Sequence, residues 1–260
     1  VLEIKVGIQL ASLRLPLKEA LHTAARLGAQ AVEIDARSEL KPQEMTRTAI
    51  RQLRKMLEDR NMRACAVAFR TRRGYDNSDE LDRRIDATKQ AMKFAFDLGA
   101  NVVINNIGRI PQDKTTRAWQ NLIDSLSDLG RFGQHVGATL CAETGSEPGE
   151  DLLKLIEALP PASLGVNFDP GNLIINGYSA SEAIRALAPH VLHVHAKDGV
   201  RDLAQGRGVE VALGRGSVDF PEVLSVLEEQ QYRGYFTIER DNADDPVFEI
   251  GEAVKYLKAI

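Results

Sequence analysis

Eight short, mostly apolar runs recur along the 260-residue chain, and a helical pattern follows each. The runs cover 5–10, 31–35, 64–69, 101–105, 139–143, 164–169, 191–195 and 235–239. Short apolar runs of this kind suit strands covered on both faces. Between the first two, Leu17, Ala20, Leu21, Ala24 and Ala25 share one helix face, a spacing that predicts an amphipathic helix. Leu53 and Leu57, then Phe94 and Leu98, mark the next two helices in the same way, and Trp119, Leu122 and Leu126 mark the fourth as a packing face. Leu152 and Leu155, Ala183 and Leu187, and Val223 and Leu227 mark the fifth to seventh, and Val254 and Leu257 close the chain. Gly28, Gly99, Gly137 and Gly234 are each expected to end a helix in the left-handed conformation just before a strand. Eight alternating units without a linker or composition break predict an α/β chain folded as a single (β/α)₈ TIM barrel over 1–260. A doubly wound open sheet is the competing topology, and the positions of the polar residues argue for the barrel.

Composition narrows the function. Apolar residues make up 43% and charged residues 27%, which excludes a collagen-like, disordered or coiled-coil chain. The net charge is −4 and no basic block interrupts it, so nucleic acid is not an expected partner, although a local basic patch can hide in such a total. Cys65 and Cys141 lie in apolar stretches and there is no metal-type CxxC, as expected for reduced, buried thiols in a cytoplasmic protein. No run approaches the ~20 apolar residues that span a bilayer, and 1–10 has no leader pattern, so no membrane partner is expected.

The chemistry is concentrated at the ends of the last four runs. They finish in Glu143, Asp169, His195 and Glu239, each preceded by apolar residues. C-terminal strand ends of a barrel converge on its mouth, so four adjacent strands would aim three carboxylates and an imidazole at one point. Such groups repel unless a cation neutralises them. The alternative, strand-end carboxylates that face solvent or pair with arginine, suits any one position better than all four together. The donor set suits one divalent ion, Mn²⁺ first, with Mg²⁺, Co²⁺, Zn²⁺ or Fe²⁺ also compatible, and the absence of thiolate argues against a structural zinc.

Five motifs in order carry a family resemblance. They are Ala142-Glu143-Thr144, Phe168-Asp169-Pro170-Gly171-Asn172, His193-Val194-His195-Ala196-Lys197-Asp198, Leu213-Gly214-Arg215-Gly216-Ser217-Val218-Asp219-Phe220 and Thr237-Ile238-Glu239-Arg240. In these the chain resembles the xylose isomerase-like TIM-barrel superfamily, which includes sugar isomerases, ketose 3-epimerases and the AP endonucleases. The resemblance implies that Glu143, Asp169, His195 and Glu239 hold one metal ion. It selects His195 because that residue directly precedes the x-Lys-Asp of the motif. His193, two residues back, is expected in the core or behind the ligands. It also implies a homo-oligomer, since barrels of this family are often dimers or tetramers. The chain departs from the family's three-zinc endonucleases. Neither Ala66-Val67-Ala68-Phe69 nor Asn105-Asn106 supplies a histidine, Asn172 stands where the family often has one, and Glu210 and Val211 stand near the place of another.

The expected activity is a divalent-metal-dependent isomerisation or epimerisation of a sugar or sugar phosphate. A proton next to the carbonyl is abstracted and an enediolate intermediate follows. Glu143 and Glu239 are expected to be catalytic as well as ligating, one on each side of the substrate. Glu33, Asn172, Lys197, Arg201 and Arg215 are the candidate substrate-binding residues; for Glu33 a buried salt bridge is the alternative. Arg207 and Arg215 sit in a glycine-rich loop that can cradle an anion or act as a lid. The run Arg70-Thr71-Arg72-Arg73 reads as a solvated loop or an anionic-substrate contact. A metal-dependent dehydratase of keto-sugars or inososes, or another lyase, is the alternative on the same site.

Overall fold

The computed structural model describes residues 3–201 and 206–260. Its strands in chain order are β1 (Lys5–Gln9), β2 (Ala31–Asp35), β3 (Arg63–Ala68), β4 (Val102–Asn105), β5 (Thr139–Glu143), β6 (Gly165–Phe168), β7 (Val191–Ala196), β8 (Asp198–Val200), β9 (Val209–Val211) and β10 (Tyr235–Ile238). Eight of them close a parallel barrel in the order β1-β10-β7-β6-β5-β4-β3-β2, sealed where Gly7, Ile8 and Gln9 pair with Ala31, Val32 and Glu33. This is the expected (β/α)₈ barrel. The open sheet is excluded because β1 pairs with both β2 and β10. The alternation of strand side chains separates two cores. Val103 joins the large layer beneath the helices, whereas Val102 and Ile104, of the opposite parity, cluster with Ala66 and Cys141 inside the barrel.

The helices are α1 (Leu17–Leu27), α2 (Arg47–Glu58), α3 (Leu81–Leu98), α4 (Arg117–Val136), α5 (Gly149–Ala158), α6 (Pro170–Ile175), α7 (Ala180–Leu187), α8 (Phe220–Glu229) and α9 (Pro246–Ala259). Gly28, Gly99 and Gly137 end α1, α3 and α4 at φ +87 to +89°, as the sequence predicts. The fourth glycine does not. After α8 the left-handed residue is Gln231, at φ 55°, and Gly234 instead makes room for Tyr232, whose hydroxyl would lie 2.2 Å from a Cβ at that position. Two elements escape the periodicity. The six residues of α6 are too short for a repeating face, and β8 pairs antiparallel with β9 inside the segment read as a glycine-rich loop.

Trp119 is packed on the core face of α4, and Cys65 and Cys141 are free and buried, all as expected. Among the described residues no helix is long and apolar enough to cross a membrane. Two register shifts interrupt the barrel ladder, between Val32 and Glu33 and between Val166 and Asn167. Irregularities of this kind re-aim side chains. Both fall on residues that touch His195.

Candidate metal centre

The four predicted ligands meet at the C-terminal mouth. Glu143 is the last residue of β5, Asp169 follows β6, His195 lies near the end of β7 and Glu239 follows β10. Their ligand atoms all lie within 4.8 Å of one another. His195 Nδ1 is the hub: it stands 2.7 Å from Glu239 Oε2, 3.1 Å from Glu143 Oε1 and 3.8 Å from Asp169 Oδ2. Donors sharing one ion at about 2.1 Å stand roughly 3 Å apart, so the spacing is that of a common coordination sphere. Asp169 Oδ2 is buried without any hydrogen-bond partner, and Glu239 Oε2 has only His195 Nδ1 beside it. Bare carboxylate oxygens at such depth are costly, and a cation at the hub would satisfy both. The residues therefore fit a divalent ion.

Each ligand is set by local structure. Asp169 divides its oxygens: Oδ1 accepts from the backbone N–H of Asn172 at 2.8 Å and caps α6, which leaves Oδ2 for the site. Pro170 suits the first helical position, where no N–H is needed. Gly171 lets the turn approach the backbone of Lys197, whose carbonyl carbon would lie 2.8 Å from a Cβ there. Thr144 clamps the same turn, accepting from the Asp169 N–H at 2.8 Å and donating to its carbonyl at 3.1 Å.

His195 is held through its other nitrogen. Nε2 donates to Glu33 Oε2 at 2.7 Å, and Glu33 Oε1 accepts from Gln9 Nε2 at 2.9 Å. A carboxylate cannot donate, so Nε2 carries the proton and Nδ1 is the atom left to face the ligands. Burial alone would raise the Glu33 carboxyl, but the charges and hydrogen bonds of His195 and His193 outweigh it and hold the group far below the usual range. Burial alone would lower His195, and Glu33 and Glu239 instead drive it well above its ordinary value. Burial also opposes ionisation of Glu239, yet the charges of His195 and Arg70 keep it well below the carboxylate range. Asp169 goes the other way, pushed up by burial. His193 is buried with Nε2 3.5 Å from Glu33 Oε2 and edge-on to His195, behind the ligands as expected.

The candidate substrate-binding residues are not all at the centre. Glu33 is fully buried, with Oε2 2.7 Å from His195 Nε2. Asn172 is half-buried in the first turn of α6. Lys197 is at the site, 3.7 Å from Glu239 Oε1, with Nζ bound to Asp241 Oδ2 at 2.6 Å. Arg201 is exposed and donates to the carbonyl of Gly177, and Arg215 is exposed on the loop after β9. The glycine-rich loop does cradle an anion, but the anion is this chain's own Asp198. Its carboxylate accepts from the backbone N–H groups of Gly199, Gly214, Gly216 and Val218 at 2.8–3.2 Å.

Two residues at the centre went unassigned by motif. Arg70 Nη2 spans Glu239 Oε1 at 2.6 Å and Glu143 Oε1 at 3.2 Å. Asn167 Nδ2 lies 3.0 Å from His195 Nδ1. The signal for Asn167 was an amide inside an apolar strand; for Arg70 it was only a basic run after a strand.

A family model described as "Xylose isomerase-like TIM barrel" matches residues 21–260, and the chain belongs to that family. An inosose dehydratase of Bacillus thuringiensis (strain Al Hakam) is 25% identical over 219 residues, 73% of this chain and 72% of the relative. Among solved structures, a xylose isomerase domain protein from Planctomyces limnophilus is 26% identical with a TM-score of 0.82, covering 92% of this chain and 91% of its own. A D-tagatose 3-epimerase-like protein is 23% identical with a TM-score of 0.78, covering 98% of each chain, and shares the fold.

Proposed function

We propose that this member of the xylose isomerase-like TIM-barrel family removes the proton beside the carbonyl of a small polyhydroxylated substrate, a sugar or sugar phosphate, and returns it, as a sugar isomerase or epimerase does. The observation that carries the reading is the convergence of Glu143, Asp169, Glu239 and His195 Nδ1 around the unbonded, buried Oδ2 of Asp169. A divalent ion held there, Mn²⁺ in first place, would supply Lewis acidity to the substrate's carbonyl and hydroxyl oxygens and so acidify the adjacent C–H.

The protein's own groups do the rest. Glu239 has Oε1 tied to Arg70 at 2.6 Å, with the Lys197 ammonium at 3.7 Å. Glu143 commits Oε1 to Arg70 and His195 and makes no hydrogen bond through Oε2 among the described residues. Its side chain is 9% exposed against 1% for Glu239. Glu143 is thus the freer carboxylate and the first base, and Glu239, separated from it by β6 and β7 in the barrel, returns the proton. Arg70 fixes the spacing of the pair. Incubation of substrate in D₂O with Glu143→Gln should show exchange of the α-proton cut by about 10²–10⁴-fold with an unchanged circular dichroism spectrum. Near-normal exchange in that variant sinks the two-base reading.

A second reading is favoured by the inosose dehydratase relative. The same proton goes to a carboxylate, but the neighbouring hydroxyl then leaves, and the products are water and an unsaturated carbonyl compound. Deuterium incorporation into recovered substrate or its epimer supports the first reading. A growing enone absorbance without deuterium in recovered substrate supports the second.

A further inference from the structure

A cavity of about 1130 Å³ opens beside the candidate metal centre, with none of Glu143, Asp169, His195 and Glu239 in its lining. Phe69 and Thr71 line it, and Arg70 between them reaches Glu143 and Glu239. One short segment thus contributes side chains to both sites. The cavity is basic in a chain of net charge −4: Arg37, Lys41, Arg72, Arg73, Arg83 and Arg84 line it against Asp79, Glu80 and Asp86.

Most of these charges are already committed. Arg73 pairs with Asp79 at 3.0 Å, Arg83 with Glu80 at 3.2 Å and Lys41 with Glu44 at 3.0 Å. Arg84 donates to the carbonyls of Gly74, Asn77 and Asp79 and staples the approach to α3. Arg37 and Arg72 remain. Among the described residues neither guanidinium meets a carboxylate. Two acids stand two residues from Arg37: Asp35 spends its oxygens on the backbone N–H groups of Arg37 and Ser38 and on the Ser38 hydroxyl, and Glu39 buries Oε2 without any hydrogen-bond partner, so neither neutralises the guanidinium. The Arg37 guanidinium instead lies 5.9 Å from the centroid of Phe69, which holds it at the cavity wall. Thr71 anchors the loop that carries Arg72 by donating to Asn105 Oδ1 at 3.3 Å.

We propose that this cavity is an anion subsite in which Arg37 and Arg72 grip the phosphate monoester of the substrate while its carbonyl end reaches the metal centre. The placement of the carbonyl rests on the function proposed above; the anion site does not. Two uncommitted guanidiniums on separate loops suit a dianion with three oxygens better than a carboxylate, which one arginine satisfies in bidentate fashion.

Calorimetric titration of the metal-free, full-length protein tests the subsite without catalysis. The probes are inorganic phosphate, D-fructose 6-phosphate, D-fructose and acetate. The sugar phosphate should bind about tenfold or more tighter than the unphosphorylated sugar. Arg37→Met and Arg72→Met should each weaken it about tenfold, with an affinity that falls as salt rises. Arg131→Met, on the exposed face of α4, should change nothing. Equal binding of sugar and sugar phosphate, wild-type affinity in both arginine variants, or acetate as good as phosphate overturns the proposal, as does preferential binding of an oligonucleotide. Titration of the same proteins with Mn²⁺ separates the two claims. Lost phosphate binding in the arginine variants with Mn²⁺ binding intact supports the subsite. Absent Mn²⁺ binding in the wild type counts against the metal reading alone.

Discussion

His195 carries the centre because both of its ring nitrogens are spoken for. Glu33 takes the Nε2 proton at 2.7 Å, and Nδ1 stands among three carboxylates. Glu33→Gln removes the charge that fixes ring and tautomer while keeping the volume. Mn²⁺ affinity should fall about 10- to 100-fold by calorimetry, with the fold retained. A half-buried carboxyl, Glu147 between β5 and α5, behaves differently. Burial, with Asp151 nearby, raises it from 4.5 to about 7. Because the folded state then holds its proton more tightly than the unfolded state, the protein loses stability as pH rises from 4.5 to 7 and regains none above it. Glu147→Gln keeps the neutral form. Urea denaturation at pH 8 should show it about 1 kcal/mol more stable than wild type, and the slope between those pH values should flatten. At this scale the four converging residues were legible because a lone polar or charged residue closing an apolar run is conspicuous. Glu33 was ambiguous, since a carboxylate in a buried strand reads equally as a site residue or a salt bridge until its partner is known.

The elements around the site explain two motifs that look like ligand-binding sequence. Lys197-Asp198 and Gly214-Arg215-Gly216 are far apart in the chain but form one structure, because the glycine N–H groups close on the Asp198 carboxylate. Gly216 cannot be larger, since a Cβ there would meet Asp198 Oδ1 at 2.0 Å. Asp198→Ala leaves these donors without their acceptor. It should cost about 2–4 kcal/mol in chemical denaturation and raise amide exchange at Gly214, Gly216 and Val218. Wild-type exchange at those amides would refute the anchoring role. The motif was legible and its purpose was not, because a glycine-rich loop has the same sequence whether the anion it cradles is a ligand or a side chain of its own. The register shifts at Glu33 and Asn167 were equally invisible, since the pairing of two strands far apart in the chain is set by tertiary packing and not by the residue types of either run.

Over the whole molecule, an ion at the hub would tie together β5, β6, β7 and β10, half of the barrel. Metal that binds only the folded state stabilises it by about 2.7 kcal/mol at a hundredfold excess over Kd. For a chain of this size Mn²⁺ should therefore raise Tm by roughly 5–10 °C, and a chelator should reverse the shift. The same rise in a Glu143→Gln, Asp169→Asn double variant would place the ion elsewhere. The sequence by itself determined the barrel, because strand and helix periodicities are local and their eightfold alternation leaves few closed arrangements. It also determined the convergence of Glu143, Asp169, His195 and Glu239, because closing the barrel brings every strand's C-terminal end to one mouth. Only the tertiary structure decided how those residues are tuned. Arg70 on Glu143 and Glu239 and Glu33 on His195 join loops or strands distant in the chain. Such contacts depend on angstrom-scale approach, which no pattern of residue types along the chain encodes.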